Sequence, residues 1–323
     1  GRALNALGGG GREGALRTAS RLIADGEANV LFFVSLFVDG VLAGVVYAPI
    51  ALAFVVVYKA SRMINFALGE WAMVASRLVA TGIHALGLGL AGALGSACAA
   101  MVALAFVFNR LVLRRLGGRP LISLIMVTLG FGALMRGAAA LVFAGIPAGI
   151  PLPIPQEPLV VHGVRVAVDK VVAAVVALAC VAAVSLFFSR SRTGVALRAI
   201  ADDQQAAMAV GIDLNRHFAL TWAMVGVLSV CAGTLWTVVS GGGFGMALVG
   251  LKVFPIVIIG GLDSIPGTLA GAVVVGVLES LAAGYVDPLL GGGFSNVASY
   301  LVLIAMLFVR PYGMFGRPDV ERV

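Results

Sequence analysis

Residues 40–58, 85–109, 171–189, 218–251 and 288–309 each run without a single Asp, Glu, Lys or Arg. A spanning α-helix needs about 20 mostly apolar residues, so several of these runs are long enough to cross a bilayer. Only 11% of the 323 residues are charged, whereas a soluble domain carries about 25%. Mean hydropathy is +1.07. The chain therefore reads as an all-α, polytopic integral membrane protein. Its 43 glycines suit close helix–helix approach in lipid better than they suit soluble helices.

A net charge of +7 raises nucleic acid as a partner. The basic residues, however, sit in loops between apolar runs, which membrane topology explains more simply, so the expected surroundings are a lipid bilayer and no nucleic acid. Cys98, Cys180 and Cys231 each fall inside an apolar run, and their spacing offers neither a disulfide framework nor a metal site. Packing is their expected role. Residues 1–28 are polar and carry a glycine run, Gly8 to Gly11, which reads as an N-terminal tail without a signal-peptide pattern. The start at Gly is compatible with processing or trimming.

Nine helices are expected, at 30–58, 64–83, 87–110, 121–144, 168–189, 217–240, 245–262, 266–286 and 294–310. Orientation follows from the loops. Lys59, Arg62, Arg110, Arg114, Arg115, Arg119, Arg190, Arg192, Arg198, Arg216, Arg310, Arg317 and Arg322 gather on one side, whereas the Pro-rich 145–167 loop opposite carries only Arg165. The basic side is expected to be cytoplasmic, with the C-terminus there and the N-terminus outside. Arg2, Arg12, Arg17 and Arg21 of the tail run against that rule and make the first crossing the weakest element of the topology. The 145–167 loop, with "IPAGIPLPIPQEP", is expected to be extended.

The most informative polar stretch is 190–216, "RSRTGVALRAIADDQQAAMAVGIDLNR". Residues 195–209 are good helix formers. Leu197, Ile200, Ala201 and Met208 fall on one helical face and Arg198, Asp202 and Gln205 on another, while Gly211 stands where a helix stops. One short amphipathic helix is predicted, either docking a soluble partner, lying on the membrane surface or packing on its own bundle.

Four stretches follow in order: "NFALGE", "SRTGVALRAIADDQQAAMAVGID", "GGLDSIPGTLAGAVVVGVLES" and "VRPYGMFGRPDVERV". Together they resemble the inner-membrane permease subunits of branched-chain amino acid ABC importers, over roughly residues 31–323. The resemblance implies a permease domain over 29–323, in the bacterial inner membrane, with 190–216 as the coupling segment that enters a cleft of an ATPase subunit. Gly194, Arg198, Ala199, Asp202, Gly211 and Ile212 match the family pattern there. It also implies a second, homologous permease, two ABC ATPases that bind ATP and Mg, and an extracytoplasmic substrate-binding protein. This chain would itself carry no cofactor and would not be an enzyme. It departs from the pattern at Leu68, where His is frequent, and at Ser76-Arg77.

A P-loop needs G-x-x-x-x-G-K-[ST], and none of Lys59, Lys170 and Lys252 sits in that context. ATP coupling by this route must come from another subunit. Gly241–Gly245, with no basic group nearby, reads as a flexible outer loop and not a phosphate site.

Two apolar stretches carry an acid. Asn65 either caps the helix expected from Ile64 or contacts substrate in the translocation pathway, and Glu70 then lies about 9 Å along that helix. Glu70 either pairs with Arg77 or Arg136 or forms a wall of the translocation path, and Glu279 poses the same choice. "KASRMINF" and "GGLDSIPG" each precede a small-residue helix with one Glu, as in the duplicated broken segments of transporters. Asp263, Ser264, Pro266 and Gly267 form a turn at the cytoplasmic end, either a tight connection or a second ATPase contact, with Pro266 suited to a helix start. The expected function is the permease half of an importer for branched-chain or other hydrophobic amino acids. The same scaffold admits urea, amides, aromatic acids or a sugar. A stand-alone ion-coupled carrier or a scaffold without transport are the readings from other classes.

Overall fold

Glycine decides how closely the helices approach. The computed structural model describes residues 9–115, 120–153, 157–161 and 163–316. Residues 1–8, 116–119, 154–156, 162 and 317–323 lie outside it, and with them Arg2, Gly8, Arg119, Arg317 and Arg322 of the charge argument. Helix α1 (Gly9–Ser61) meets α10 (Ile265–Leu281) along its length. A Cβ on Gly44 would stand 2.4 Å from the Ala272 carbonyl oxygen, and one on Gly276 would stand 2.4 Å from the Gly40 oxygen and the Gly44 Cα. Gly40 and Gly44 are thus four apart on one face of α1, the spacing that brings membrane helices into backbone contact.

Helix α2 (Leu68–His84) runs through the middle of the bundle, with residues from Leu68 to Gly82 buried all round its axis. A helix apolar on every side must be enclosed on every side. Its neighbours are α3 (Leu90–Leu111), α4 (Leu121–Val142) and α8 (Leu214–Ser240). Gly233 of α8 lies against the Ala72 carbonyl, where a Cβ would come within 2.2 Å, and Gly226 lies against the Met101 carbonyl of α3 at 2.9 Å. Trp71, Phe108, Phe131 and Trp222 fill the space between these four helices, with ring centroids 4.3–6.1 Å apart. Dispersion among such rings, not exclusion from water, holds a bundle together in lipid.

Helix α5 (Val168–Arg190) leads through two short helices, α6 (Arg192–Asp202) and α7 (Gln204–Ala209), into α8. A 3-10 turn (Phe244–Leu248), α9 (Val249–Gly260), α10, a π turn (Ala282–Val286), α11 (Asp287–Leu290) and α12 (Phe294–Val309) complete the order. Each expected apolar segment is helical, and the count of nine crossings is not confirmed. Among the described residues six helices are long and apolar enough to span, Phe244–Gly260 and Phe294–Val309 are shorter, and α2 has 17 residues.

Three local expectations are corrected. The helix predicted from residue 64 begins at Leu68, because the last α1-type bond is made by the Arg62 amide and residues 63–65 are irregular before a turn at Phe66 and Ala67. The 145–167 loop is not wholly extended coil: Leu159–Val161 and Val164–Val166 pair antiparallel, Leu159 opposite Val166, as β-branched residues around Gly163 at φ +85° permit. The loop expected over 241–245 ends at Gly243: Gly241, Gly242 and Gly243 hold three consecutive positive φ angles, and a 3-10 turn starts at Phe244. Cys98, Cys180 and Cys231 are free and half-buried in α3, α5 and α8.

The α1–α10 crossing leaves no room for a side chain. Gly276→Val should cost at least about 3 kcal/mol, the upper range for overpacking. Gly95→Val, whose Cβ meets nothing within 4 Å, should be neutral. Fluorescence-detected size exclusion with a thermal ramp in mild detergent separates the two.

Candidate functional site

Three carboxylate or hydroxyl caps order the stretch between α5 and α8. Ser191 Oγ accepts the Gly194 amide at 2.8 Å and starts α6. Asp203 Oδ1 accepts the Gln205 and Ala206 amides at 2.8 and 3.0 Å and starts α7. Asp213 Oδ1 does the same for Asn215 and Arg216 and starts α8. Each satisfies amides that a helix start leaves open. The one amphipathic helix expected over 195–209 is therefore two, because the extended backbone of Asp203 (φ −155°) breaks it.

That break resets the helical phase. Leu197 and Ile200 are buried as expected, but Met208 is exposed and Ala207 takes the buried place beyond the break. Ala201 is only half-buried, and Ala199 likewise. Gly194 lets α6 fold back on α5, since a Cβ there would sit 2.4 Å from the Phe187 oxygen. Gly211, at φ +86°, ends α7: its amide donates to the Met208 oxygen and that of Ile212 to the Ala207 oxygen, each at 3.0 Å. This pair of bonds is the Schellman stop, with Ile212 packing inward after it.

Arg198 and Asp202 stay exposed and line a cleft of about 640 Å³. Asp263, Ser264 and Pro266 form its opposite wall. The two polar segments singled out in the sequence thus share one cleft, which their separation along the chain did not reveal. The end of α1 joins them: Lys59 Nζ donates to the Asp263 carbonyl at 2.9 Å, and Arg62 Nη2 donates to the Ala201 carbonyl at 3.2 Å. Arg62 also holds a left-handed φ of +53°, a strained state for a residue with a Cβ. Ser264 Oγ accepts the Gly267 amide at 3.1 Å and caps α10, with Pro266 in its first turn. Gly267 faces Gly260 so closely that a Cβ would reach its oxygen at 2.1 Å. The "YGMFG" stretch folds onto the same corner through Met314 N to the Ile259 oxygen and Phe315 N to the Gly260 oxygen.

Inside the bundle, Asn65 is buried and its Oδ1 accepts the Ala67 amide at 2.9 Å, so it turns the chain into α2 from two residues before the cap position. Its Nδ2 has no partner among the described residues. Glu70 lies in the first turn of α2, about 3 Å along the axis from Leu68 and not 9 Å from Ile64. The exposed amides of that turn favour its negative charge. Its ion-pair partner is Arg136 on α4. The other candidate, Arg77, lies two turns along the same helix and is buried. It donates instead to the Phe143 and Ile146 carbonyls, both at 2.7 Å, between the Phe143 and Phe244 rings.

Glu279 is tied into a separate network. Lys252 Nζ of α9 lies 3.1 Å from its Oε2, Tyr47 of α1 donates to the same oxygen at 3.1 Å, and Ser299 of α12 donates to Oε1 at 3.2 Å. One carboxylate thus fastens α1, α9 and α12 to α10. Glu70 stands at the start of its helix and Glu279 near the end of its own, so the two acids do not occupy equivalent places in the suspected repeat. Sequence reasoning missed Lys252 and Tyr47 as the partners of Glu279. Only the apolar setting of Lys252 signalled that this lysine needed an acid.

Removing Glu279 strands the Lys252 ammonium. Glu279→Ala should cost about 3–5 kcal/mol. The pair Glu279→Gln with Lys252→Met, which leaves no lone charge, should cost less than half of that. Thermal unfolding of both proteins in one detergent measures the difference.

Comparison with known proteins places this arrangement. The family described as "Branched-chain amino acid transport system / permease component" matches residues 36–310. The "High-affinity branched-chain amino acid transport system permease protein BraD" of Pseudomonas aeruginosa is 31% identical over 313 residues, spanning 91% of this chain and 99% of its own. The LivH permease protein of the same description from Escherichia coli K12 is 30% identical over 314 residues, spanning 91% and 98%. A solved structure, "PsaBC from Streptococcus pneumoniae in complex with Fab", aligns over 86% of this chain and 92% of that chain at TM-score 0.45 and 15% identity, too slight a likeness to add to these. With one family covering residues 36–310 and relatives of nearly equal length, the chain belongs to the branched-chain amino acid transport permease family.

Proposed function

We propose that this chain is the membrane-spanning permease subunit of an ATP-driven importer and forms a pathway for branched-chain or other hydrophobic amino acids. A periplasmic binding protein would deliver the substrate. A second, homologous permease would complete the channel, and two ATPase subunits, binding ATP and Mg, would drive it. The names of the relatives, high-affinity branched-chain amino acid permease proteins, support the substrate class.

The observation that carries the coupling role is the exposed side of α6 and α7. Val195 (52% exposed), Met208 (53%) and Val210 (77%) stand beside Arg198 and Asp202, while Leu197, Ile200 and Ala207 anchor the same helices. These apolar groups lie in a polar segment between two spans, and in this reading a protein partner covers them. In this reading Gly194, Leu197, Ile200, Gly211 and Ile212 position the docking element. Arg198, Ala199, Asp202 and Met208 meet the ATPase, and Asp263, Ser264, Pro266 and Gly267 form the second wall of the seat. Lys59, Arg62, Arg110, Arg115, Arg190, Arg192, Arg198, Arg216 and Arg310 gather at this end, against Arg165 and Lys170 at the hairpin end. That asymmetry supports a cytoplasmic coupling face, with the C-terminus on that side and the N-terminus outside, in the inner membrane. Glu70 and Glu279 belong to helices that would line or brace the pathway, and Asn65 stands in the turn that leads into the first of them.

Purification of tagged protein in mild detergent tests the coupling seat. Wild type is expected to bring down a P-loop ATPase, and Arg198→Glu with Asp202→Lys is expected to lose at least nine-tenths of it while the helical content by circular dichroism is unchanged. Recovery of the ATPase by both forms moves the docking site elsewhere. Recovery by neither removes the importer reading.

A further inference from the structure

The Glu70–Arg136 pair stands at a depth where charge does not face lipid. His84 ends α2 fourteen residues beyond Glu70, about 21 Å along the axis, and Gly69 packs on Gly250, ten residues before α9 ends at Gly260. Both measures put the pair well inside a hydrocarbon layer about 30 Å thick. Yet the Arg136 side chain is 51% exposed, while that of Glu70 is 7% exposed. Ionised groups at this depth face a bundle interior or a water-filled space. The open side of Arg136 therefore marks a wetted or protein-enclosed space and not the lipid boundary.

A cavity of about 340 Å³ opens there, at the lower end of the range for small-molecule pockets, about 300–1,000 Å³. Its polar groups are Glu70 and Arg136, and Phe66, Leu129, Gly132 and Ala133 supply apolar and small walls. Gly132 keeps it open, since a Cβ there would press on the Glu70 carboxyl carbon at 3.2 Å. Each charge is only partly committed. Arg136 bonds Glu70 through Nη2 to Oε1, and among the described residues Oε2 of Glu70 accepts no hydrogen bond. A guanidinium carries five N–H donors in a planar fork suited to a carboxylate.

We infer that this cavity is a transit site for a zwitterionic amino acid: Arg136 takes the substrate's carboxylate, Glu70 takes its ammonium, and the Phe66–Leu129–Ala133 wall receives an apolar side chain. The inference rests on the importer reading and adds to it a means of recognition inside the membrane. An α-amino acid carries its two charges on adjacent atoms, so an ion pair with an open edge on each partner complements it. A urea, a sugar or an aromatic acid presents only part of that pattern.

The test uses the assembled importer in proteoliposomes, given binding protein loaded with radiolabelled L-leucine. Glu70→Gln with Arg136→Gln replaces the ion pair by a neutral amide pair and leaves no buried lone charge. Leucine uptake should fall at least tenfold, with melting temperature and subunit co-purification equal to wild type. Arg136→Lys, which keeps the charge but loses the planar fork, should fall between wild type and the double variant, with uptake at least threefold above the latter. Unchanged uptake in the neutral double variant overturns the site. A fall in uptake that tracks a lower melting temperature, or an Arg136→Lys protein as inactive as the double variant, reduces the pair to a structural brace. A wild-type complex that hydrolyses ATP without moving leucine overturns the importer reading, and the site with it.

Discussion

Backbone-to-backbone approach at glycine is the constraint on which the rest of this molecule depends. In lipid the apolar side chains of the helices gain little by meeting one another, because the surrounding tails are equally apolar. What remains is close packing, and it is densest where no Cβ intervenes. Gly44 and Gly276 join α1 to α10, Gly69 and Gly250 join α2 to α9, Gly233 seats α8 on α2, and Gly260 meets Gly267 across the turn before α10. These contacts fix where each helix can lie. The charged groups then fall where the packing puts them, and each buried acid finds a basic partner on another helix: Glu70 on α4 and Glu279 on α9.

The division of labour between the two acids follows from their surroundings. Glu279 is saturated by Lys252, Tyr47 and Ser299, four helices meeting at one carboxylate. Such a network resists rearrangement, since breaking any part of it leaves a desolvated group. Glu70 and Arg136 share a single contact beside an open cavity. The first arrangement holds helices together, and the second leaves capacity for something else to bind.

Much of the fold was legible because lipid imposes long charge-free runs, and the helices at Leu90–Leu111, Val168–Arg190 and Phe294–Val309 fall close to their predicted places. The failures are local and have physical causes. Asp203 is a capping residue, and its place after Asp202 within an Ala-rich run concealed a break that reset the phase and exchanged Met208 for Ala207 at the buried face. The late start of α2 was hidden because Met63, Ile64, Phe66 and Ala67 are as apolar as a helix, and after Arg62 only Asn65 signals the turn. Arg136 was one of two candidate partners for Glu70. Spacing argued against Arg77, since two helical turns on one axis separate it by about 10 Å. The true partners of Arg77, two carbonyls in an irregular loop, leave no pattern in sequence. Nor could spacing reveal that residues 194–202 and 263–266 enclose one cleft, because α1 supplies the bridge between them.

That bridge has a mechanical consequence. From Asn29 to Ser61 the first helix is a single rod of 33 residues, roughly 50 Å long. Leu31 lies under the hairpin at Gly163, and the other end grips both turns of the cleft through Lys59 and Arg62. Both turns of the cleft are thereby bonded directly to this helix, with no other element in between. Its one built-in point of compliance is Pro49, where the ring removes a backbone hydrogen bond. Pro49 stands between the Gly40 and Gly44 contacts with α10 and the cleft end, so the one interruption of the rod's own bonding falls between its attachment to that helix and its attachment to the turn that precedes it.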